Sequence, residues 1–389
     1  MDMKKIAILT RRAGYNMGTS LQAVAMSVFI DKAGFPNRII NYDEYSGHLL
    51  WQIKPRVNKI IYFAMNLCPW FSKLVLGKKF LMLQRAQEQM NRFHEFEQMF
   101  MPLTDKKYTS YRALERDFNN YDACICGSDQ IWSPYFYDSA FLLSFINKGS
   151  KCRKIAYAPS MGITDASMLP PEQIDLMKQF DSISCREYEA SAIVEKVTGK
   201  NVPTVLDPTL MVEPKVWNQM ADKAKLDISK QKYILTYFLH TDYYKDVIPN
   251  DFIKKLKAIT KLPVYNISLF NLENRVNADR DFNTVGPLEF LALVRDAEWI
   301  CTNSFHCCIF SYIFKRRFFV FERYMKDGNV GGNQNSRVHN LLKLFDLEQC
   351  LTQPKDEPNV LQKFDFNSRK ALVDEYQAKS LDFLKVSLS

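Results

Sequence analysis

Residues 4–42 read KKIAILTRRAGYNMGTSLQAVAMSVFIDKAGFPNRIINY. The apolar, β-branched run at 5–10 has the length of a buried strand. Helical spacing follows over 21–33, and Gly34 ends it. The RIINY run at 38–42 is a second strand. Two apolar strands joined by a helix are the unit of a parallel sheet covered on both faces. Working outward, short apolar runs recur at 123–126, 154–158, 182–185 and 202–206. Together these six strands describe one Rossmann-like domain. A second series places strands at 233–239, 264–267, 299–302 and 318–321, with helices near 252–260, 287–297 and 307–314. Pro287 opens one of these helices, and Glu289 sits in its first turn. The polar, Lys-rich stretch 221–232 is the join, and 361–388 reads as a terminal helix packing back across it. The expectation is an α/β protein of two Rossmann-like domains, residues 1–225 and 226–389.

Composition narrows the class. Of 389 residues, 47% are hydrophobic and 24% charged, an ordinary globular balance that excludes a disordered or collagen-like chain. Only 13 residues are glycine, so each glycine tends to mark a place where the backbone demands it. The 52 basic and 43 acidic residues leave a net charge of +9, which suits anionic partners: phosphorylated small molecules, membrane surfaces or nucleic acid. Nine cysteines show no spacing for a disulfide frame or a zinc site and read as reduced, buried thiols of a cytoplasmic protein. The amino terminus has no signal-peptide pattern, and no uncharged apolar run is long enough to span a membrane.

One long excursion, about residues 46–120, reads as a helical, basic insertion in the first domain. Between Tyr45 and Gln87 there is no acidic residue, while Lys54, Arg56, Lys59, Lys73, Lys78, Lys79 and Arg85 alternate with Trp51, Tyr62, Phe63, Trp70 and Phe71. Such a segment covers its own domain, lies on an anionic membrane, or stacks on nucleic acid. No nucleic-acid-reading motif accompanies it, so no nucleic-acid partner is expected.

In open α/β sheets ligands sit beyond the carboxyl ends of the strands, so the loops there carry the chemistry. The first loop is Gly14-Tyr15-Asn16-Met17-Gly18-Thr19-Ser20, which opens a helix and offers backbone N–H groups to an anion. The second is Gly127-Ser128-Asp129-Gln130, where Asp129 either accepts a hydroxyl proton or caps a helix. Arg186 ends another strand and either forks onto a carboxylate or phosphate or pairs with Glu187 or Glu189. Leu206-Asp207-Pro208-Thr209 reads as a strand-ending Asp-Pro turn. His306 follows Asn303-Ser304-Phe305 at a helix start and either moves a proton or is a hydrogen-bonded core histidine. Arg337 lies in a Gly-rich polar loop, reaching a phosphate or solvent. No Walker A, G-x-S-x-G or H-E-x-x-H motif is present.

These pieces resemble the polysaccharide pyruvyl transferases. The matching residues are Asn16-x-Gly18-x-x-Leu21-Gln22-Ala23, Cys126-Gly127-Ser128-Asp129-Gln130-Ile131-Trp132, Lys154-Ile155-Ala156-Tyr157-Ala158 and Ile183-Ser184-x-Arg186-Glu187. They continue with Val205-Leu206-Asp207-Pro208-Thr209, Gly286-Pro287-x-Glu289-Phe290, Thr302-Asn303-Ser304-Phe305-His306 and Asn335-Ser336-Arg337. The resemblance implies a glycosyltransferase-B-like pair of Rossmann domains facing across a cleft. It implies phosphoenolpyruvate as donor and, as acceptor, a sugar of a bacterial surface polysaccharide or its lipid-linked precursor, with a pyruvate ketal as product. Ketal formation from that donor asks for two cationic sites, taken here as Arg186 and Arg337. His306 is then the candidate for phosphate contact or proton transfer, and Asp129 for accepting the hydroxyl proton. Asn16, Gly18, Ser128, Asn303 and Ser304 complete the expected substrate contacts. The scheme requires no metal or cofactor. A lipid-linked acceptor would give the basic insertion a role at the inner face of the membrane. A sugar-nucleotide glycosyltransferase and an inactive scaffold subunit of polysaccharide assembly are the alternatives. One departure stands out: where the family usually has Gly after Ser-Phe-His, this chain has Cys307, whose Cβ is expected to narrow an anion pocket.

Overall fold

The structure, a computed structural model, describes residues 4–12, 16–42, 78–228, 231–239, 248–269, 276–323 and 335–389. The first half begins β1 (Ile6–Leu9), α1 (Met17–Lys32), β2 (Asn37–Ile39), α2 (Lys78–Phe100), α3 (Tyr111–Phe118) and β3 (Ala123–Cys126). It continues with β4 (Arg153–Ala156), α4 (Pro171–Met177), β5 (Ser182–Ile183), α5 (Tyr188–Thr198) and α6 (Pro214–Ala221). The second half holds β6 (Ile234–Tyr237), α7 (Asn250–Thr260), β7 (Val264–Ile267), β8 (Arg280–Phe282), α8 (Pro287–Asp296) and β9 (Trp299–Thr302). It closes with α9 (Phe305–Ile313), β10 (Arg317–Phe321), α10 (Ser336–Phe345), β11 (Leu351–Thr352) and α11 (Lys370–Leu388).

Two parallel sheets result. The first runs β2-β1-β3-β4-β5 and the second β11-β10-β9-β6-β7-β8. Strands such as ACIC and WICT are buried along their whole length because helices cover both faces. Chain order reverses between β1 and β3 in the first sheet, and between β6 and β9 in the second. Those reversals open a crevice at the carboxyl ends of the strands.

Two expectations are corrected. Residues 202–206 form no strand: they touch the sheet only through a bridge between Cys185 and Thr204, where Pro203 has no N–H to give a ladder. The first sheet therefore has five strands. Conversely, β8 and β11 extend the second sheet to six; each has only two or three residues, too short for a hydropathy pattern to mark.

The halves are stitched together twice. Helix α11 crosses back: Ser380 Oγ accepts from Leu206 N at 3.0 Å, and Gln377 Nε2 donates to Leu210 O at 2.7 Å. Helix α2, the described part of the insertion, bridges both sheets rather than covering only its own. Glu97 accepts from Arg12 Nη1 at 2.8 Å in the first half. Gln89 Nε2 reaches Ser268 O and Val285 O at 3.1 and 3.0 Å, and Arg92 pairs with Glu289 at 2.9 Å, in the second. The basic, aromatic part before residue 78 lies outside the described residues, and with it the membrane expectation. Among the described residues no helix is long and apolar enough to cross a membrane.

The α2–α8 contact depends on Gly286. A Cβ built there meets Arg92 Cβ at 2.7 Å and Arg92 backbone oxygen at 3.3 Å. Gly286→Ala forces α2 outward and is expected to cost about 1–3 kcal/mol. A drop in the urea midpoint with unchanged slope checks it.

Candidate functional site

Local sequence sets each piece of the site. Asn16 caps α1, its Oδ1 accepting from the N–H groups of Gly18 and Thr19 at 3.0 and 3.3 Å. Ser304 caps α9 by accepting from Cys307 N, which sets Phe305 and His306 in that helix's first turn. Asn303 ties the loop after β9 to the end of β6: Oδ1 accepts from Leu239 N at 2.7 Å, and Nδ2 donates to Leu239 O at 3.2 Å. These three were expected to contact substrate. Their described side-chain hydrogen bonds are with backbone.

The capped helices meet across the cleft. His306, from the second half, lies directly on Gly18 of α1: a Cβ at position 18 would come within 2.3 Å of Nδ1 and 2.4 Å of Cγ. Only a residue without a side chain allows the ring this close. The other ring nitrogen, Nε2, is 3.5 Å from Asp207 Oδ2, within ion-pair range but without a formed hydrogen bond.

Asp207 is the residue that the sequence reading passed over. It does terminate the segment as a cap, accepting from Thr209 N and Oγ1 at 3.0 and 2.6 Å. Its second oxygen, however, accepts from Arg186 Nη1 at 2.8 Å and Ser128 Oγ at 3.1 Å, besides facing His306. An Asp-Pro turn is so common a strand ending that its motif alone gave no sign of a second duty. Burial opposes ionisation of Asp207, but His306, Arg186 and Thr209 outweigh it and hold the carboxyl far below its usual range.

Arg186 is clamped in turn. Nε donates to Glu187 Oε1 at 3.0 Å, and the guanidinium lies 4.3 Å from the Phe305 ring centre, a cation–π contact across the cleft. The side chain is only 3% exposed, and its Nη2 has no hydrogen-bond partner. Burial works against its charge, but Glu187, Asp207 and Asp129 keep it protonated.

Asp129 stands at the end of β3 in a left-handed conformation, φ 75°. Oδ2 accepts from Thr19 Oγ1 at 2.6 Å, and Oδ1 accepts from Gln130 N at 2.9 Å. Burial raises its pKa, yet His306, Arg186, Thr19 and Arg11 together pull it below the ordinary value. Arg337 comes from the second turn-forming position of α10. It lines a cavity of about 490 Å³ together with Arg186, Glu187, Asp207, Phe305 and Asn340. Among the described residues His306 and Asp129 are not in that cavity's lining; Asp207, which faces His306, is.

Cys307, whose Cβ was expected to narrow an anion pocket, is not in the lining of that cavity. Cys307 is fully buried in the core, its thiol beside Thr302 and Ser311, and burial pushes that thiol up to about 12.

A depressed carboxyl stabilises the fold above its unfolded pKa of about 3.9, and that stability is lost as pH falls below it. Asp207→Asn is therefore expected to flatten the acid limb of the stability curve below pH about 4, read as urea midpoint against pH. Gly18→Ala is expected to displace the His306 ring and lower the melting temperature, read by thermal denaturation against wild type.

Solved structures share the fold of this chain. The UDP-GlcNAc 2-epimerase of Neisseria meningitidis, solved with UDP-GlcNAc bound, aligns over 97% of this chain and 100% of its own, at 9% identity and a TM-score of 0.50. The corresponding enzyme of Rickettsia bellii aligns over 99% and 97%, at 11% identity and a TM-score of 0.49. At such identities a likeness speaks to fold alone, and the fold is that of the glycosyltransferase-B enzymes. No curated protein matches the chain. The family model described as polysaccharide pyruvyl transferase matches residues 16–323, from the cap of α1 to the end of β10, and the chain belongs to that family.

Proposed function

We propose that this protein transfers the pyruvyl group of phosphoenolpyruvate to two hydroxyls of a saccharide, closing a pyruvate ketal. The observation that carries the reading is Arg186: a buried, permanently charged guanidinium, fixed by two carboxylates, with Nη2 left without a partner at the cleft. A buried donor of this kind calls for an anionic acceptor. Phosphoenolpyruvate offers two anionic groups, and Arg337, lining the cavity beside Arg186, suits the second. The alternative duty named for Arg186, pairing with Glu187, is met at the same time through Nε.

The chemistry divides as follows. One sugar hydroxyl adds to C2 of the donor and gives up its proton, while C3 takes up a proton and becomes a methyl group. The C2–O bond to phosphorus-bearing oxygen breaks, releasing inorganic phosphate and leaving an oxocarbenium-like centre. The second hydroxyl adds to C2 and releases its proton, which closes the ketal. His306 is the proton carrier, since an imidazole exchanges protons near neutral pH. Asp129 stays ionised, which makes it a weak base; it suits orienting the acceptor hydroxyl and balancing the positive charge at C2. A saccharide of a bacterial surface polysaccharide, free or lipid-linked, is the acceptor class, and the protein works in the cytoplasm, at the membrane's inner face where the acceptor is lipid-linked.

Thermal-shift titration tests the donor. Phosphoenolpyruvate is expected to stabilise wild type saturably, by about 2.7 kcal/mol at a hundred times its Kd. Arg186→Ala should abolish the shift and Arg337→Ala weaken it, while His306→Ala should keep the shift but lose phosphate release with acceptor. Stabilisation by a nucleotide sugar and none by phosphoenolpyruvate overturns the reading in favour of glycosyl transfer.

A further inference from the structure

The ring of His306 is held with its two nitrogens in different surroundings, and this fixes which of them can work. Nε2 is buried and faces Asp207 Oδ2 at 3.5 Å. Nδ1, on the Cβ side of the ring, lies close against Gly18 of α1. Asp207 is an ionised carboxylate, an acceptor only. A lone pair on Nε2 would point at that negative oxygen with no proton between them, so the neutral ring must carry its proton on Nε2. We propose that Asp207 is a positioning residue that locks His306 in the Nε2–H tautomer and leaves Nδ1 as the nitrogen that gives and takes the proton.

Two further features fit this assignment. Asp207 is itself immobilised by Thr209, Ser128 and Arg186, so the oxygen facing the ring has a fixed direction. Gly18 lets the ring seat against α1 in one orientation: a Cβ there would meet Nδ1, Cγ and Cβ of His306 at 2.3, 2.4 and 2.5 Å. The 3.5 Å separation belongs to a site without substrate, where hydrogen bonds between catalytic groups are commonly long and tighten when the substrate arrives. Asp207 also fastens Arg186, so one carboxylate sets both the anion donor and the orientation of the proton carrier. The kinetic part of this inference rests on the pyruvyl-transfer reading; the tautomer does not.

The test is nitrogen NMR on the full-length protein labelled with 15N-histidine, at a pH raised until the His306 ring has lost its charge. Five histidines are present, and His306→Gln assigns the signal. In wild type, Nε2 is expected to be pyrrole-like and Nδ1 pyridine-like, with a single tautomer populated. In Asp207→Asn the amide can donate to Nε2, so the Nδ1–H form should appear or dominate; Asp207→Glu should retain the wild-type pattern. An Nδ1–H ring in wild type, or an unchanged ring in Asp207→Asn, overturns the proposal. Should Asp207→Asn fail to fold, the wild-type ring together with Asp207→Glu decides it. In the transfer assay kcat should fall about 10²-fold or more in Asp207→Asn and recover in part in Asp207→Glu. The NMR reading needs no donor, so a protein that ignores phosphoenolpyruvate would sink the functional reading and leave the tautomer assignment to its own result.

Discussion

The buried carboxylate of Asp207 is the interaction on which the rest of the site depends. Burying an unpaired charge costs several kcal/mol, and removing one partner of a buried pair commonly costs about 3–5 kcal/mol. Asp207 escapes that penalty because donors converge on it from several elements, Thr209 two residues on, Ser128 after β3 and Arg186 after β5, and because the His306 ring faces it from the opposite half. The last of these makes the balance a property of the two halves together. Helices α2 and α11, which fasten one half to the other by side-chain bonds to backbone carbonyls and amides, thereby also hold the charge cluster together.

The backbone around the cluster is strained in a way consistent with that constraint. Asp129 and Ala158, in the loops after β3 and β4, both have positive φ, at 75° and 55°. Neither is glycine, and such conformations persist where the surroundings over-determine them. Here the two loops brace each other. Asp129 bridges Pro159, Ser160 N donates to Asp129 O at 2.8 Å, and Arg186 N donates to Pro159 O at 3.3 Å. The left-handed turn at 129 directs its carboxylate to Thr19 on α1, and the third link seats Arg186 beside Asp207.

Much of this was legible in the sequence because long-range order and local pattern coincide in a parallel α/β chain. Runs such as ACIC, WICT and VYNI are buried on both faces, so hydropathy alone marks them. The loops after them hold polar residues that packing does not need. The pattern fails where pairing is set by tertiary contact: β8 and β11 are too short to show a period, and 202–206 is apolar yet unladdered because Pro203 interrupts it. Site residues divide along the same line. Arg186 and His306 were visible as charged or titratable groups between apolar elements. Asp207 was hidden because its cap geometry is fully explained by Thr209, and its bonds to Ser128 and Arg186 come from segments 79 and 21 residues away. Asn16, Asn303 and Ser304 show the converse: at helix starts and strand ends their described side-chain bonds go to backbone, which a motif alone does not reveal.

Two positions packed against His306, Gly18 and Cys307, meet different demands. A glycine is required where another group approaches the Cα closely, and the group that does so is the His306 ring itself, over Gly18. The residue after the histidine meets a different demand. Its N–H is taken by the Ser304 cap, its carbonyl accepts from Ser311 Oγ at 2.7 Å, and its side chain fills core behind the helix. A cysteine there fills buried volume behind the helix where a glycine would leave it empty. The side chain at 307 therefore acts on the packing of α9, and through it on how firmly His306 is presented to Gly18, rather than on the space between Arg186 and Arg337.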